Sequence, residues 1–196
     1  MTEALAAAVV AALELCGETV ATGESLTGGL VCATLVDVPG ASAVVRGGVV
    51  GYDPSVKIDL LGVDVGLIAD VGTVHPKVAE QLAQGARYLL GATWGLGTTG
   101  VAGPGPSEGE PAGTVFIAVA GPDGAQSRKL ELDGSRSQIR IGAVREVLSD
   151  LQYRLGKNSG SVAVESDKKG DGADCDAGTH WRRPSGAAPS RRSYFA

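Results

Sequence analysis

The sequence predicts an α/β layered domain, and three observations carry that prediction. Segments of helical period alternate with short apolar runs of strand length along residues 1–155. Glycine- and proline-bearing turns separate them. The chain, 196 residues long and 43% apolar, is large enough to bury a real core as one domain of ordinary size.

Taken in order, residues 3–16 read as an amphipathic, alanine-rich helix. Residues 19–22 are a β-prone run, followed by a turn and a helix from about Thr27 to Val36. Residues 44–52 form a strand carrying the pair Gly47-Gly48. Asp53-Pro54 then has the signature of an N-cap followed by N1, opening a helix through Leu61. Residues 76–90 make a stronger helix, with Val78, Leu82, Ala86 and Leu89 expected on one buried face. Residues 93–98 and 114–120 are strand-like, and residues 128–132 are a possible third strand. A helix from Ser135 to Leu155 closes the domain.

Composition changes near residue 156. The segment 156–196 is polar and punctuated by Gly, Ser and Pro, with almost no aliphatic residue after Val164. Such a segment cannot offset its ordering entropy by burial and is expected to be a disordered tail. Its Cys175 and His180 are too few for a zinc site, and the aspartates around Asp171 miss the calcium-loop spacing.

Several function classes are disfavoured at this level. Thirty glycines are about twice the usual share, but without the period of collagen. A net charge of −5 argues against a dedicated nucleic-acid binder. No apolar run is long enough to span a membrane. The apolar residues 4–13 lack the basic flank of a signal peptide, and Cys16, Cys32 and Cys175 are odd in number and widely spaced. A cytoplasmic setting is the expectation.

Familiar motifs fail on their mechanics. Gly95-Leu96-Gly97-Thr98-Thr99-Gly100 has the spacing of a dinucleotide-binding turn, but a run rich in Pro and Gly follows where the phosphate-binding helix should start. There is no P-loop, no His-Glu-x-x-His and no Cys-x-x-Cys, so no metal site is expected. His75 is the only histidine outside the tail and precedes Pro76, which suits a helix cap better than a catalytic triad.

Three segments could do chemistry. Ser25, in Gly23-Glu24-Ser25-Leu26-Thr27-Gly28-Gly29, follows a strand and precedes a helix, where nearby N–H groups could stabilise an oxyanion. Ser25 or Thr27 could equally be a plain helix cap. Lys57 falls in the first turn of its helix, where the dipole opposes a positive charge and favours use as a base; a solvated surface lysine is the bland alternative. Tyr52, at the preceding strand end, could hydrogen-bond both groups or simply be half-buried. The loop from Thr98 through Thr99 and Gly100 to Pro106 leaves a strand end, the usual place for a ligand in an open α/β sheet, or is only a connection. Arg136 and Arg140, four apart on the last helix, could pair with a phosphate or face water.

Together these segments are more specific than any one alone. The order Glu24-Ser25-x-Thr27-Gly28-Gly29, Asp37-Val38-Pro39-Gly40-Ala41-Ser42, Gly47-Gly48-Val49-Val50-x-Tyr52 with Lys57 five residues on, and Thr99-Gly100-Val101-Ala102-Gly103-Pro104 resembles the CinA C-terminal domain family over about residues 3–155. The resemblance implies a three-layer α/β/α sandwich around a mixed sheet, usually dimeric. It also implies metal- and cofactor-free hydrolysis of nicotinamide mononucleotide (NMN) to nicotinate mononucleotide and ammonia, in pyridine-nucleotide recycling. Carried over by position, Ser25 would be the nucleophile, Lys57 its base and Tyr52 a proton relay or holder. The N–H groups of Thr27, Gly28 and Gly29 would hold the oxyanion, and Thr99, Gly100, Arg136 and Arg140 would contact ribose and phosphate.

Departures from the family pattern are Leu26 where Cys is common, Gly23 for Ala, Asp53-Pro54 for Ser-Asn, and Ser135-Arg136 for Gly-Asp-Arg. Full-length relatives add an N-terminal domain linked to nucleotide-sugar hydrolysis, and that activity is not expected of this chain. The rival reading is a non-catalytic module that binds pyridine nucleotides or serves a competence- or damage-associated role. A weaker one is an amidase for another amide.

Overall fold

The computed structural model describes residues 2–162, with side chains through Lys157. It is a three-layer arrangement around a mixed five-stranded sheet of order β2-β1-β3-β4-β5. The first helix, α1 (Thr2–Cys16), buries Ala6, Val9, Val10 and Leu13, the i, i+3, i+4, i+7 stripe of an amphipathic helix. The inner strand β1 (Val20–Glu24) is buried throughout. Helix α2 (Leu30–Val36) and a 3₁₀ turn (Ala41–Ala43) lead to the edge strand β2 (Val45–Val50), which runs parallel to β1.

Helices α3 (Pro54–Asp59) and α4 (Val65–Val71) precede α5 (Pro76–Leu89). Strand β3 (Trp94–Gly100) lies parallel to β1 on its other side. The sheet finishes with the antiparallel pair β4 (Thr114–Gly121) and β5 (Gly124–Glu131). Helix α6 (Arg136–Val162) ends the described chain.

Both sheet faces are covered, and the strand period shows it. Every residue of β4 is buried, with Val115, Ile117 and Val119 in the core shared with α1, α2 and α6. Phe116, Ala118 and Ala120 point to the α5 side. A strand buried on both faces reads as one apolar run, as the sequence 114–120 does.

Glycine sets how closely α5 approaches. A Cβ on Gly23, Gly95 or Gly97 would collide with the carbonyls of Leu82, Ala83 or Ala79 of α5. The glycines of the false dinucleotide motif therefore serve helix-on-sheet contact, while Gly100 pairs with Val115 and leaves no room for a side chain against Thr114. Gly97→Ala should lower stability by on the order of 3 kcal/mol through overpacking, since the obstructing atoms are backbone. Thermal denaturation checks this, and an unchanged midpoint would mean α5 shifts at no cost.

Four elements depart from the sequence reading. Leu89 is 53% exposed, and Leu90 packs on the α5 core instead. Helix α4 was not anticipated, because it buries none of its residues; Asp64 starts it by accepting from the Leu67 amide at 2.7 Å. Strand β5 begins at Gly124, its polar first half being paired with β4 rather than packed. The last helix does not stop at Leu155 but continues through Val162, because extending an existing helix needs no further burial. The rest of the expected tail, 163–196, lies outside the described residues.

Candidate active site

The C-terminal ends of β1, β2 and β3 converge, and Ser25 stands at the point where the strand order reverses on either side of β1. In register, Glu24 faces Val50 of β2 and Thr98 of β3. The Gly51 amide donates to the Glu24 carbonyl at 2.8 Å, and the Ser25 amide to the Thr98 carbonyl at 2.9 Å. Ser25 is thus held between two neighbouring strand ends. It is 9% exposed, and its Oγ has no protein hydrogen bond among the described residues.

The sequence reading missed the residue beside it. Glu24 is buried, and its Oε2 accepts from the amides of Gly29 at 2.9 Å and Val31 at 3.0 Å. Its Oε1 accepts from the Cys32 amide at 2.8 Å and the Thr22 hydroxyl at 2.9 Å. Gly48 makes room for this cluster, since a Cβ there would strike the Thr22 hydroxyl. Glu24 therefore satisfies the start of α2, a task the sequence offered to Ser25 or Thr27. A carboxylate ending a strand just before a helix was the available signal.

The other predicted binding groups divide. Gly28 donates its amide to the Ser25 carbonyl at 3.1 Å, and the Gly29 amide belongs to Glu24, so neither is available to an oxyanion. The amides of Leu26 and Thr27 have no protein acceptor among the described residues. The Thr27 hydroxyl is buried 2.7 Å from the Thr98 hydroxyl, and Thr99 Oγ1 donates to the Thr73 carbonyl at 2.7 Å. The Thr27 and Thr99 hydroxyls thus bind the strand ends and the turn before α5 to one another, and Gly100 is packed on β4.

Lys57 is 1% exposed, although it lies in the short α3. Asp53 and Pro54 start that helix as the sequence indicated, Asp53 accepting from the Ser55 amide at 2.8 Å. The lysine stem crosses Gly51, and Nζ donates to the Tyr52 carbonyl at 2.8 Å. Burial pushes its pKa down, while the charges of Glu108 and Asp53 pull it partly back up. The sequence put Lys57 in the first turn of its helix; in the six-residue α3 it falls in the last turn, and burial is the leading cause of its shift. Tyr52 contributes to Lys57 through its backbone: the ring is 63% exposed and its hydroxyl accepts from Arg136 Nη2 at 3.2 Å. No Ser25–Lys57 hydrogen bond is present among the described residues: Ser25 follows β1, and Lys57 lies in the helix that follows the neighbouring strand β2.

Glu108 is a second residue the sequence did not single out. It adopts φ 50°, and its carboxylate accepts from the Thr73 hydroxyl at 2.7 Å and from the amides of Thr73 and Val74. Burial pushes its carboxyl up, but those donors and the Lys57 charge outweigh it and hold it below the ordinary range. It ties the loop after β3 to the turn before α5 and brings negative charge within reach of Lys57. His75 is the α5 N-cap, its Nδ1 accepting from the Lys77 amide at 3.3 Å.

The arginines separate in role. Arg136 is exposed, bridging the Tyr52 hydroxyl and, at 2.8 Å, the Gly103 carbonyl. Arg140 donates from Nε to the Leu26 carbonyl at 2.9 Å and from Nη2 to the Thr27 carbonyl at 2.7 Å. Among the described residues no three His, Cys, Asp or Glu side chains converge as metal ligands, and no helix is long and apolar enough to cross a membrane. A groove of about 580 Å³ between α1, α2 and α6 shares none of these residues.

Fold and site define a mixed α/β/α sandwich with a serine at the end of the middle one of its three parallel strands and a buried lysine in the helix after the neighbouring strand. The chain belongs to the CinA family: the CinA C-terminal domain model matches residues 2–155. It is 49% identical over 155 residues to a CinA-like protein of Frankia casuarinae, covering 79% of this chain and 35% of that protein. The chain thus spans about a third of the length of the curated relatives it matches. Among solved structures it is similar to the competence/damage inducible protein CihA of Agrobacterium tumefaciens, with TM-score 0.75 and 35% identity, covering 79% of this chain and 95% of that one. A CinA superfamily protein of Klebsiella pneumoniae gives TM-score 0.77 at 28% identity, covering 80% and 99%.

Proposed function

We propose that the domain is an amidohydrolase acting on the carboxamide of nicotinamide mononucleotide. The observation that carries this reading is a serine hydroxyl with no protein partner among the described residues just after β1, together with a buried lysine of lowered pKa in the helix that follows the neighbouring strand β2. Neutral Lys57 takes the Ser25 proton as Oγ attacks the carboxamide carbon. The tetrahedral intermediate collapses by breaking its C–N bond, and Lys57 returns the proton to the departing ammonia. Water, activated by the same lysine, then cleaves the acyl-serine ester to nicotinate mononucleotide. The Leu26 and Thr27 amides receive the oxyanion in place of those of Gly28 and Gly29. Exposed Arg136, beside Tyr52, is the cation left for the 5′-phosphate.

Lys57 donating to the Tyr52 carbonyl rather than to Ser25 favours a second reading, a non-catalytic module that binds the nucleotide. One experiment separates them: ammonia release from NMN by the purified chain, by Ser25→Ala, and with chelator present. Turnover that resists chelator and disappears in Ser25→Ala is expected. NMN binding by a folded protein without ammonia release would select the module. Homodimerisation is part of the same proposal, and light scattering of the purified chain tests it.

A further inference from the structure

The turn after Ser25 is gripped by a side chain that arrives from α6, and the grip has a directional consequence. Arg140 donates to two successive carbonyls, Leu26 at 2.9 Å and Thr27 at 2.7 Å. Gly28, at φ +60°, lies directly under it, a Cβ there standing 3.2 Å from Nη2. A peptide unit is planar and trans, so its C=O and its N–H point opposite ways. The Leu26 carbonyl and the Thr27 amide belong to one such unit. Anchoring the Leu26 oxygen on the guanidinium therefore fixes where the Thr27 N–H points. The Gly28-to-Ser25 bond of 3.1 Å does the same for the Leu26 N–H. These are the two amides of the turn that lack a protein acceptor among the described residues. A charged donor on the carbonyl also polarises the peptide and strengthens its N–H as a donor.

We infer that Arg140 is a positioning residue for the oxyanion site of Ser25: it aims and polarises the Leu26–Thr27 peptide toward the negative charge that forms on the substrate oxygen. The inference rests on the reading of Ser25 as an acyl-transfer nucleophile. It takes Arg140 away from the substrate phosphate, because its Nε and Nη2 are already engaged on the turn.

The test uses the full chain as Arg140→Ala and Arg140→Lys, with Arg145→Ala as a control on the exposed side of the same helix. Two assays run in parallel. One measures kcat and KM for NMN hydrolysis. The other measures the rate at which a small alkyl fluorophosphonate labels Ser25, forming an Oγ–P bond as fluoride leaves and the serine proton passes to Lys57. That probe needs the oxyanion donors but no nucleotide contacts. Arg140→Ala should lose about 100-fold in kcat, the scale of one oxyanion donor, with KM within about three-fold. Labelling should slow comparably, added guanidinium ion should restore part of both rates, and Arg140→Lys should fall between. Thermal melts confirm that each variant is folded, and Arg145→Ala should match the wild type throughout. A rise in KM at unchanged kcat, or labelling untouched in Arg140→Ala, would overturn the inference. Labelling that depends on Arg140 in a protein inert toward NMN would uphold it and reject the substrate. A wild-type protein neither labelled nor active would reject both.

Discussion

Lys57→Met is expected to abolish turnover while leaving the protein as stable as before, or more so. Methionine keeps most of the volume of a side chain that is 1% exposed, so no large cavity opens over Gly51. What disappears is the base, and kcat/KM should fall by roughly 10³-fold or more. The stability sign follows from the direction of the pKa shift. Burial lowers the folded-state pKa below its unfolded value, so the unfolded chain holds this proton more tightly. The cost of the charged lysine is fully present below the folded pKa and is lost as pH rises to the ordinary lysine value. The stability gap between Lys57→Met and the wild type should narrow over that same window. The rate profile of the wild type should show an acid limb below the ordinary lysine range, since only neutral Lys57 accepts the serine proton. Chemical denaturation and pH–rate profiles measure the two halves. A severe loss of stability in Lys57→Met would make the bond to the Tyr52 carbonyl, and not catalysis, the reason for this lysine.

Glu24→Gln should be the more damaging change to the fold. The carboxylate accepts four hydrogen bonds, two on each oxygen, in a buried position. Glutamine keeps one acceptor oxygen and sets an NH₂ group against the donors on the other side. Two buried donors left unsatisfied cost about 1–3 kcal/mol each, a large share of the stability of a typical domain. The melting temperature should therefore drop by on the order of 10 °C. Circular dichroism melts check it, and a midpoint within about two degrees of wild type would mean that α2 re-caps itself.

Much of the fold was legible because burial leaves a periodic trace. The stripe of α1, the doubly buried run of β4 and the Asp53-Pro54 start of α3 all follow from local rules that the structure keeps. Helix α4 left no such trace, since it buries none of its residues, and the polar start of β5 is held by pairing with β4 alone. Ser25 and Lys57 stood out by position, one at a strand-to-helix turn and one where a cation breaks the local preference. Glu24 and Glu108 did not, because an acidic residue in a sequence looks solvated until the fold surrounds it with amides.

By itself the sequence determined the alternation of elements, and hence the layers, because apolar periodicity decides which surfaces must leave water. It determined the kinds of group at the strand ends as well. The tertiary structure alone decided their partners. Strand order set Ser25 between Gly51 and Thr98, and burial lowered the pKa of Lys57. Packing of α6 brought Arg140 onto carbonyls more than a hundred residues earlier in the chain. A residue type fixes which hydrogen bonds and charges are available, but only the folded chain fixes the distances at which they act, and those distances separate a helix cap from a nucleophile.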